Sequence, residues 1–139
     1  MKFKKTERGQ SLVELSISLT FMLFVLAGVV EFGMAFFQFI QLRDAAQEGA
    51  LYGSIHPTDT NGIISRVRYS SSSPVDLTNT TTVTVPPPTI IGSACEGNSL
   101  QIDVYYDHVV FMPFMSQILG PKRTLHATVI DTILSPMCP

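Results

Sequence analysis

The sequence predicts an α+β protein: a long N-terminal transmembrane helix followed by a small outer domain with an antiparallel sheet. Three observations predict this architecture. Residues 15–40 are almost entirely apolar, the C-terminal part contains three strand-like stretches, two of which alternate between apolar and polar residues, and only 14% of the 139 residues are charged. About a quarter of the residues of a soluble domain are normally charged. The low fraction therefore favours a membrane protein.

Charge and cysteine content exclude several function classes. The formal net charge is -2, which disfavours a nucleic-acid-binding protein because phosphate binding requires a basic surface. The two cysteines lack the local spacing of a zinc site. The length of the chain fits one ordinary domain.

The apolar segment 15–40 contains one charged residue, Glu31. As a helix it spans about 39 Å, enough to cross a hydrocarbon core of roughly 30 Å. A cleaved signal peptide is the alternative, but its apolar run would be shorter and would end at a cleavage site. The pattern therefore predicts a basic leader over residues 1–9, a retained helix and stem over 10–55, and an outer domain over 56–139. We expect the stem to end before Pro57, because the residue preceding a proline disfavours the α conformation.

The flanking charges predict the orientation in the membrane. Four basic residues precede the apolar segment, whereas Arg43 alone follows it before Arg66. The positive-inside rule then places the N-terminus in the cytoplasm and the C-terminal domain on the outer side of the cytoplasmic (inner) membrane. The basic residues of the leader are Lys2, Lys4, Lys5 and Arg8.

This orientation would place Cys95 and Cys138 in an oxidising compartment, where a disulfide between them is expected. Closing a loop of about 44 residues contributes on the order of 4 kcal/mol in the chain-entropy model. The alternative is two unpaired thiols.

One arc of the helix differs from the rest. Polar and small residues share it, whereas bulky apolar residues occupy the opposite arc. Small and hydroxyl-bearing residues in a spanning helix mark the approach of another helix. The predicted helix–helix contact residues are Ser16, Thr20, Ala27, Glu31 and Gln38.

Glu31 allows two interpretations, because a carboxylate in the bilayer is costly unless it is paired, protonated or interfacial. It could be an interfacial acid that reaches water. It could also pair with a donor or cation from another helix, and its place on the polar arc favours this second interpretation.

The outer domain is predicted to contain three strands, whereas residues 63–69 fit a helix or a strand. The apolar stretch 109–115 could close the core, or it could be an exposed patch that docks on a partner or enters the membrane surface. The predicted strands are residues 80–85, 100–110 and 124–134.

No catalytic pattern is present in the sequence. The three histidines form no HExxH motif, and there is no GxSxG, GxGxxG or P-loop sequence. We therefore expect no enzyme activity, no metal, no cofactor and no small-molecule substrate.

The residues that lead into the apolar segment read RGQSLVE, from Arg8 to Glu14. This segment resembles the prepilin-peptidase site of type IV pilins and pseudopilins. The resemblance implies cleavage after Gly9 and methylation of the new N-terminal residue, Gln10. It also implies that Glu14 pairs with the N-terminus of a neighbouring subunit.

Two further motifs follow in order, VEFG at residues 30–33 and LRDAAQEGA at residues 42–50. Together the three motifs resemble the TadE-like family of tight-adherence pilus assembly. The resemblance implies a non-enzymatic, single-span minor pseudopilin with a pilin-like outer domain and with other helical membrane subunits as partners. The chain departs from the usual pattern at Leu19-Thr20, where a proline is common, and at Gln47 and Leu51, where arginines are common. The alternative function is an uncleaved accessory subunit of a respiratory or photosynthetic membrane complex.

Overall fold

A computed structural model describes residues 7–112 and 115–138 of the chain, without the side chains of Glu7 and Arg8. The lysines of the predicted leader and two residues of the apolar stretch 109–115 therefore lie outside the described residues.

A single long helix forms the first third of the molecule. Helix α1 (Glu7–Gly53) contains 47 residues and is about 70 Å long. By its length and composition it could cross a membrane. The expected long apolar helix is confirmed.

Helix α1 ends close to the predicted position. The N–H groups of Ser54 and His56 donate to the carbonyls of Ala50 and Tyr52, respectively, and the helical pattern then stops. Pro57 follows immediately, and it cannot donate a backbone hydrogen bond.

The segment 63–69, which the sequence left open, is helical. It forms most of α2 (Thr60–Tyr69), and the side chain of Asp59 caps this helix by accepting from the backbone N–H of Gly62 at 2.9 Å. An aspartate in this position satisfies one of the unpaired N–H groups of the first turn.

The C-terminal part folds into a four-stranded antiparallel sheet, so the predicted α+β class is confirmed. The central strand β3 pairs with β4 along its whole length on one side. On the other side it pairs first with β2 and then with β1. The strands are β1 (Val83–Thr84), β2 (Thr89–Ile91), β3 (Ser99–Val109) and β4 (Lys122–Thr132), and a short helix, α3 (Met115–Leu119), lies between the last two. We refer to residues 60–138 as the head.

Two of the predicted strands are placed differently in the structure. The strand expected over 80–85 is reduced to β1, because the carbonyl and side chain of Asn79 accept backbone N–H groups and form a turn. Strand β4 begins two residues earlier than predicted, where Lys122 pairs with Val109. Strand β2, a three-residue strand directly after three prolines, was not predicted from the sequence.

The core of the head lies between the sheet and the outer third of α1. Strand β3 contributes alternate residues to it, since side chains of a strand point alternately to its two faces. Gly49 of α1 allows the close approach, because a Cβ atom there would meet Val67 of α2 and lie 3.2 Å from Cδ1 of Ile102. The largest fully buried side chains are those of Leu42, Ile63, Leu77, Leu100, Ile102 and Ile133.

The expected disulfide is present in the structure. Cys95 and Cys138 are bonded, with their Cα atoms 5.5 Å apart. Around this bridge the tail following β4 is also held by backbone hydrogen bonds, since the N–H of Glu96 donates to Pro136 and that of Leu134 donates to Ser54. The tail is therefore fixed both to the loop between β2 and β3 and to the residue that follows α1.

Candidate functional site

The predicted processing residues lie on an exposed turn of α1. Gly9 and Gln10 are both in the helix and exposed, and a Cβ atom at Gly9 would meet nothing within 4 Å. The side-chain amide of Gln10 donates to Oε1 of Glu14 at 3.3 Å. The glutamate therefore projects from the helix surface one turn after Gly9.

The described part of the head leaves residues 9–26 of α1 uncovered. All residues from 9 to 26 are exposed, a length of about 27 Å that is close to the hydrocarbon thickness of a bilayer. We call these residues the bare helix. The hydroxyls of Ser16 and Thr20 donate to the carbonyls of Leu12 and Ser16, each at 2.8 Å, so both are satisfied within the helix.

Above the bare helix, the polar arc of α1 meets the head. Glu31 is buried, with 4% of its surface exposed, and its Oε1 lies 2.9 Å from Nε2 of His108 at the end of β3. The backbone N–H groups of Phe111 and Met112 donate to the two oxygens of the Glu31 carboxylate at 3.2 and 2.9 Å. Oε1 of Gln38 lies 2.6 Å from Nδ1 of His108. We call Glu31, Gln38 and His108, with these two backbone amides, the junction cluster.

Both ring nitrogens of His108 face oxygen atoms. The ring is 4% exposed, so the hydrogen bonds of the junction cluster replace those that water would otherwise make.

The predicted helix–helix contact residues divide into two groups. Glu31 and Gln38 contact the chain's own head, so the donor that the sequence analysis expected from another helix lies within this chain. Ser16 and Thr20 lie on the bare helix, and Ala27 is half-buried just above it. The expected helix–helix contact stays a prediction for Ser16, Thr20 and Ala27.

One sequence signal could have identified His108. The core-facing positions of β3 are Leu100, Ile102 and Val104, and continuing with a period of two brings His108 to the same face. A polar residue on a core face requires a polar partner. Glu31 is the acidic residue on the arc of α1 that faces the head.

Gln41 forms a second polar contact between α1 and the head. Its amide group donates to the carbonyl of Val75 at 2.8 Å and accepts from the N–H of Val75 at 2.9 Å. Four residues further along α1 begins a group of small residues, in which Ala45, Ala46 and Ala50 are fully or almost fully buried. This part of α1 is therefore shaped by its contact with the head.

The family model described as TadE-like protein matches residues 9–51. This segment of the chain is TadE-like. The match extends from Gly9 nearly to the end of α1 and confirms the resemblance based on RGQSLVE, VEFG and AAQEGA. No curated protein and no solved structure matches the chain.

The TadE-like segment has two structural roles in this chain. Its first half is the bare helix, with Gly9 exposed at the start. Its VEFG step supplies Glu31 to the junction cluster, and its AAQEGA step supplies the small residues against which the head packs. The TadE-like segment therefore provides both the apolar surface and the attachment of the head.

The outer face of the sheet carries a separate polar group. Oδ1 of Asp103 lies 2.8 Å from Nε2 of His126 and accepts from the hydroxyl of Thr128 at 2.6 Å. Burial raises the pKa of the Asp103 carboxyl, but hydrogen bonds from Thr128, His126 and Gln101 outweigh it and hold the pKa below its usual value. Among residues 7–112 and 115–138, no three His, Cys, Asp or Glu side chains form a cluster that could hold a metal ion.

Proposed function

We propose that the protein is a minor pseudopilin that is cut after Gly9 and helps to assemble a tight-adherence pilus. The TadE-like family is a family of pilus assembly components, and the single apolar helix is consistent with a single-pass membrane protein. The observation that carries the proposal is the match of residues 9–51, which begins at the glycine of the processing motif.

The surroundings of Gly9 support the processing step. Gly9 is exposed, and a Cβ atom there would have no heavy atom within 4 Å. The described residues therefore leave the backbone at Gly9 accessible. Cleavage would leave Gln10 as the N-terminus and would remove the basic leader. The bare helix would remain joined to the head.

Glu14 would then act between subunits. Its carboxylate is exposed and contacts the Gln10 side chain of its own helix. A carboxylate next to the apolar run of a packed helix bundle requires a cation, and the new N-terminal amine of a neighbouring subunit would supply one. The pairing would set the axial position of one subunit relative to the next.

The proposed topology follows the flanking charges, with the leader in the cytoplasm and the head on the outer side of the cytoplasmic membrane. This topology accounts for the disulfide between Cys95 and Cys138, because disulfides persist on the oxidising side.

Mass analysis of the protein from cells that contain an active prepilin peptidase tests the processing step. The mature chain is expected to begin at Gln10, and Gly9→Ala is expected to keep the leader. Gly33→Ala is the matched control, since it also lies on α1 with nothing within 4 Å of an added Cβ, and it should be cleaved normally. A wild-type chain that begins at Met1 in these cells would overturn the proposal.

Co-purification from native membranes tests the assembly step. Pilus assembly proteins are expected to accompany the wild-type chain and to be lost with Glu14→Leu. Respiratory or photosynthetic subunits in their place would contradict the pilus function and favour an accessory subunit of such a complex.

A further inference from the structure

The connection between β3 and β4 presents an apolar surface beside the membrane-spanning helix. Phe111 is 77% exposed and Ile118 is 63% exposed, and Val109 and Leu119 are also exposed. We call these four residues the apolar edge of the head. No charged residue occurs from position 109 to 121, so the edge is uniformly uncharged along the chain.

The apolar edge lies at a defined height on α1. A Cβ atom at Gly28 would lie 3.9 Å from Cε of Met115, which is the first residue of α3. The backbone amides of Phe111 and Met112 are fixed to Glu31, three residues further along α1. The hydrogen bonds to Glu31 fix residues 111 and 112 to the helix, and the position of Met115 near Gly28 places the start of α3 beside the same two turns.

The length of the bare helix relates this height to the bilayer. Gly28 lies about 28 Å along α1 from Gly9, close to the roughly 30 Å of a hydrocarbon core. If the core begins instead at Leu15, beyond Glu14, its outer boundary lies near Ala35 and Gly28 is about 10 Å inside it. In both placements the apolar edge is at the outer boundary of the hydrocarbon or just within it.

Two basic residues follow the apolar edge directly. Lys122 and Arg123 begin β4, are exposed, and pair with Val109 and His108 of β3. Apolar side chains next to lysine or arginine suit a lipid interface, where the former contact acyl chains and the latter contact anionic headgroups.

We propose that the apolar edge, Val109, Phe111, Ile118 and Leu119, inserts into the outer leaflet of the membrane that α1 spans, with Lys122 and Arg123 on lipid headgroups. The inference rests on the proposed membrane span. It adds a second lipid contact to the helix and would hold the head against the bilayer surface before assembly.

Tryptophan fluorescence tests the insertion, because the chain contains no tryptophan and each substitution therefore gives a single reporter. Three full-length variants are reconstituted in phosphatidylcholine vesicles with lipids brominated on the acyl chain. Phe111→Trp reports on the apolar edge, and Phe21→Trp reports on the bare helix. Ile130→Trp is the control, since Ile130 is exposed on β4 and pairs with Gln101, about 27 Å along β3 from Val109.

Phe111→Trp is expected to show blue-shifted emission. The brominated lipids should reduce its fluorescence intensity by at least half as much as they reduce that of Phe21→Trp, and they should leave the intensity of Ile130→Trp unchanged. Quenching of Phe21→Trp alone would overturn the insertion and leave the membrane span intact. No quenching of Phe21→Trp would overturn the span itself. Equal quenching of all three reporters would also overturn the insertion, because the lipid would then contact the apolar edge no more than the control position on β4.

Anionic lipid tests the basic residues separately. Adding phosphatidylglycerol is expected to increase the quenching of Phe111→Trp, and the further substitutions Lys122→Gln and Arg123→Gln are expected to remove that increase. An unchanged increase would overturn the headgroup contact.

Discussion

Oε1 of Glu31 and Nε2 of His108 lie 2.9 Å apart, although 77 positions separate the two residues in the chain. The contact joins the apolar helix to the end of β3, and both side chains are buried. Because both side chains are buried, water cannot supply the hydrogen bond that either residue would lose if the other were removed. The attachment of the head to the helix relies on this polar contact as well as on the apolar core.

The first prediction concerns the energetic coupling of Glu31 and His108. Alanine at either position leaves the other side chain buried without its partner, so each single substitution should be strongly destabilising. The double substitution should cost less than the sum of the two, with a coupling free energy of about 1–3 kcal/mol. Thermal unfolding of the monomer in detergent micelles measures it.

Phe36→Leu is the control for this cycle, because Phe36 lies on the opposite arc of α1 and is 54% exposed. It should change the unfolding temperature little. Additive effects of Glu31→Ala and His108→Ala would show that the two side chains do not interact in the monomer.

The second prediction concerns Gly49, where α1 approaches α2 and β3. A Cβ atom there would meet Val67 and Ile102, two buried side chains with little room to shift. Gly49→Ala should therefore destabilise the head by about 1–3 kcal/mol through overpacking. Gly33→Ala, with nothing within 4 Å of its new Cβ, should not, and equal unfolding temperatures for the two variants would contradict the packing described.

The third prediction concerns the disulfide between Cys95 and Cys138, whose positions are 43 residues apart. Replacing both cysteines by serine should lower the free energy of unfolding by about 4 kcal/mol in the chain-entropy model. Denaturant unfolding of the two proteins measures the difference. Reductant should shift the gel mobility of the wild type alone, and no shift would argue against the bridge.

The fourth prediction concerns pH and Asp59, the capping residue of α2. The backbone N–H of Gly62 and the hydroxyl of Tyr52 donate to its carboxylate and lower the pKa of Asp59 below its usual value. Because this pKa is lower in the folded state, the stabilisation is fully present above the unfolded-state pKa. It is lost as the pH falls through the folded-state pKa.

Asp59→Asn isolates this contribution, since asparagine can still accept from the N–H of Gly62 but does not titrate. The difference in unfolding temperature between the wild type and the variant should shrink as the pH falls into the acid range. A difference that stays constant with pH would show that the carboxylate charge contributes nothing.

The features that follow from local patterns could be predicted from the sequence. The apolar run 15–40 predicts the helix, and the alternation in 100–110 predicts β3, because periodicity reflects burial on one face. The three-residue strand β2 could not be predicted, since it forms only where β3 offers an edge. Residues 63–69 carried no decisive local signal, and their helix depends on the cap at Asp59 and on packing against α1.

The candidate site was predictable only in part for the same reason. The polar arc predicted that Glu31 and Gln38 contact another helix, whereas both lie against His108 at the end of β3, because an arc does not identify what contacts it. That information depends on the fold of residues 99–112, which returns His108 to the helix over a long separation in sequence.

The continuity of α1 has a consequence for how subunits can approach one another. On an ideal helix Ser16, Thr20, Glu31 and Gln38 point within about 60° of one another, and the head is attached at the last two. The head therefore overhangs the side of the bare helix on which the two hydroxyl residues lie. A neighbouring helix that contacts Ser16 and Thr20 has to fit between the head and the N-terminal end of α1. The side of α1 to which the head is attached therefore limits both the direction of approach and the axial position of that neighbour.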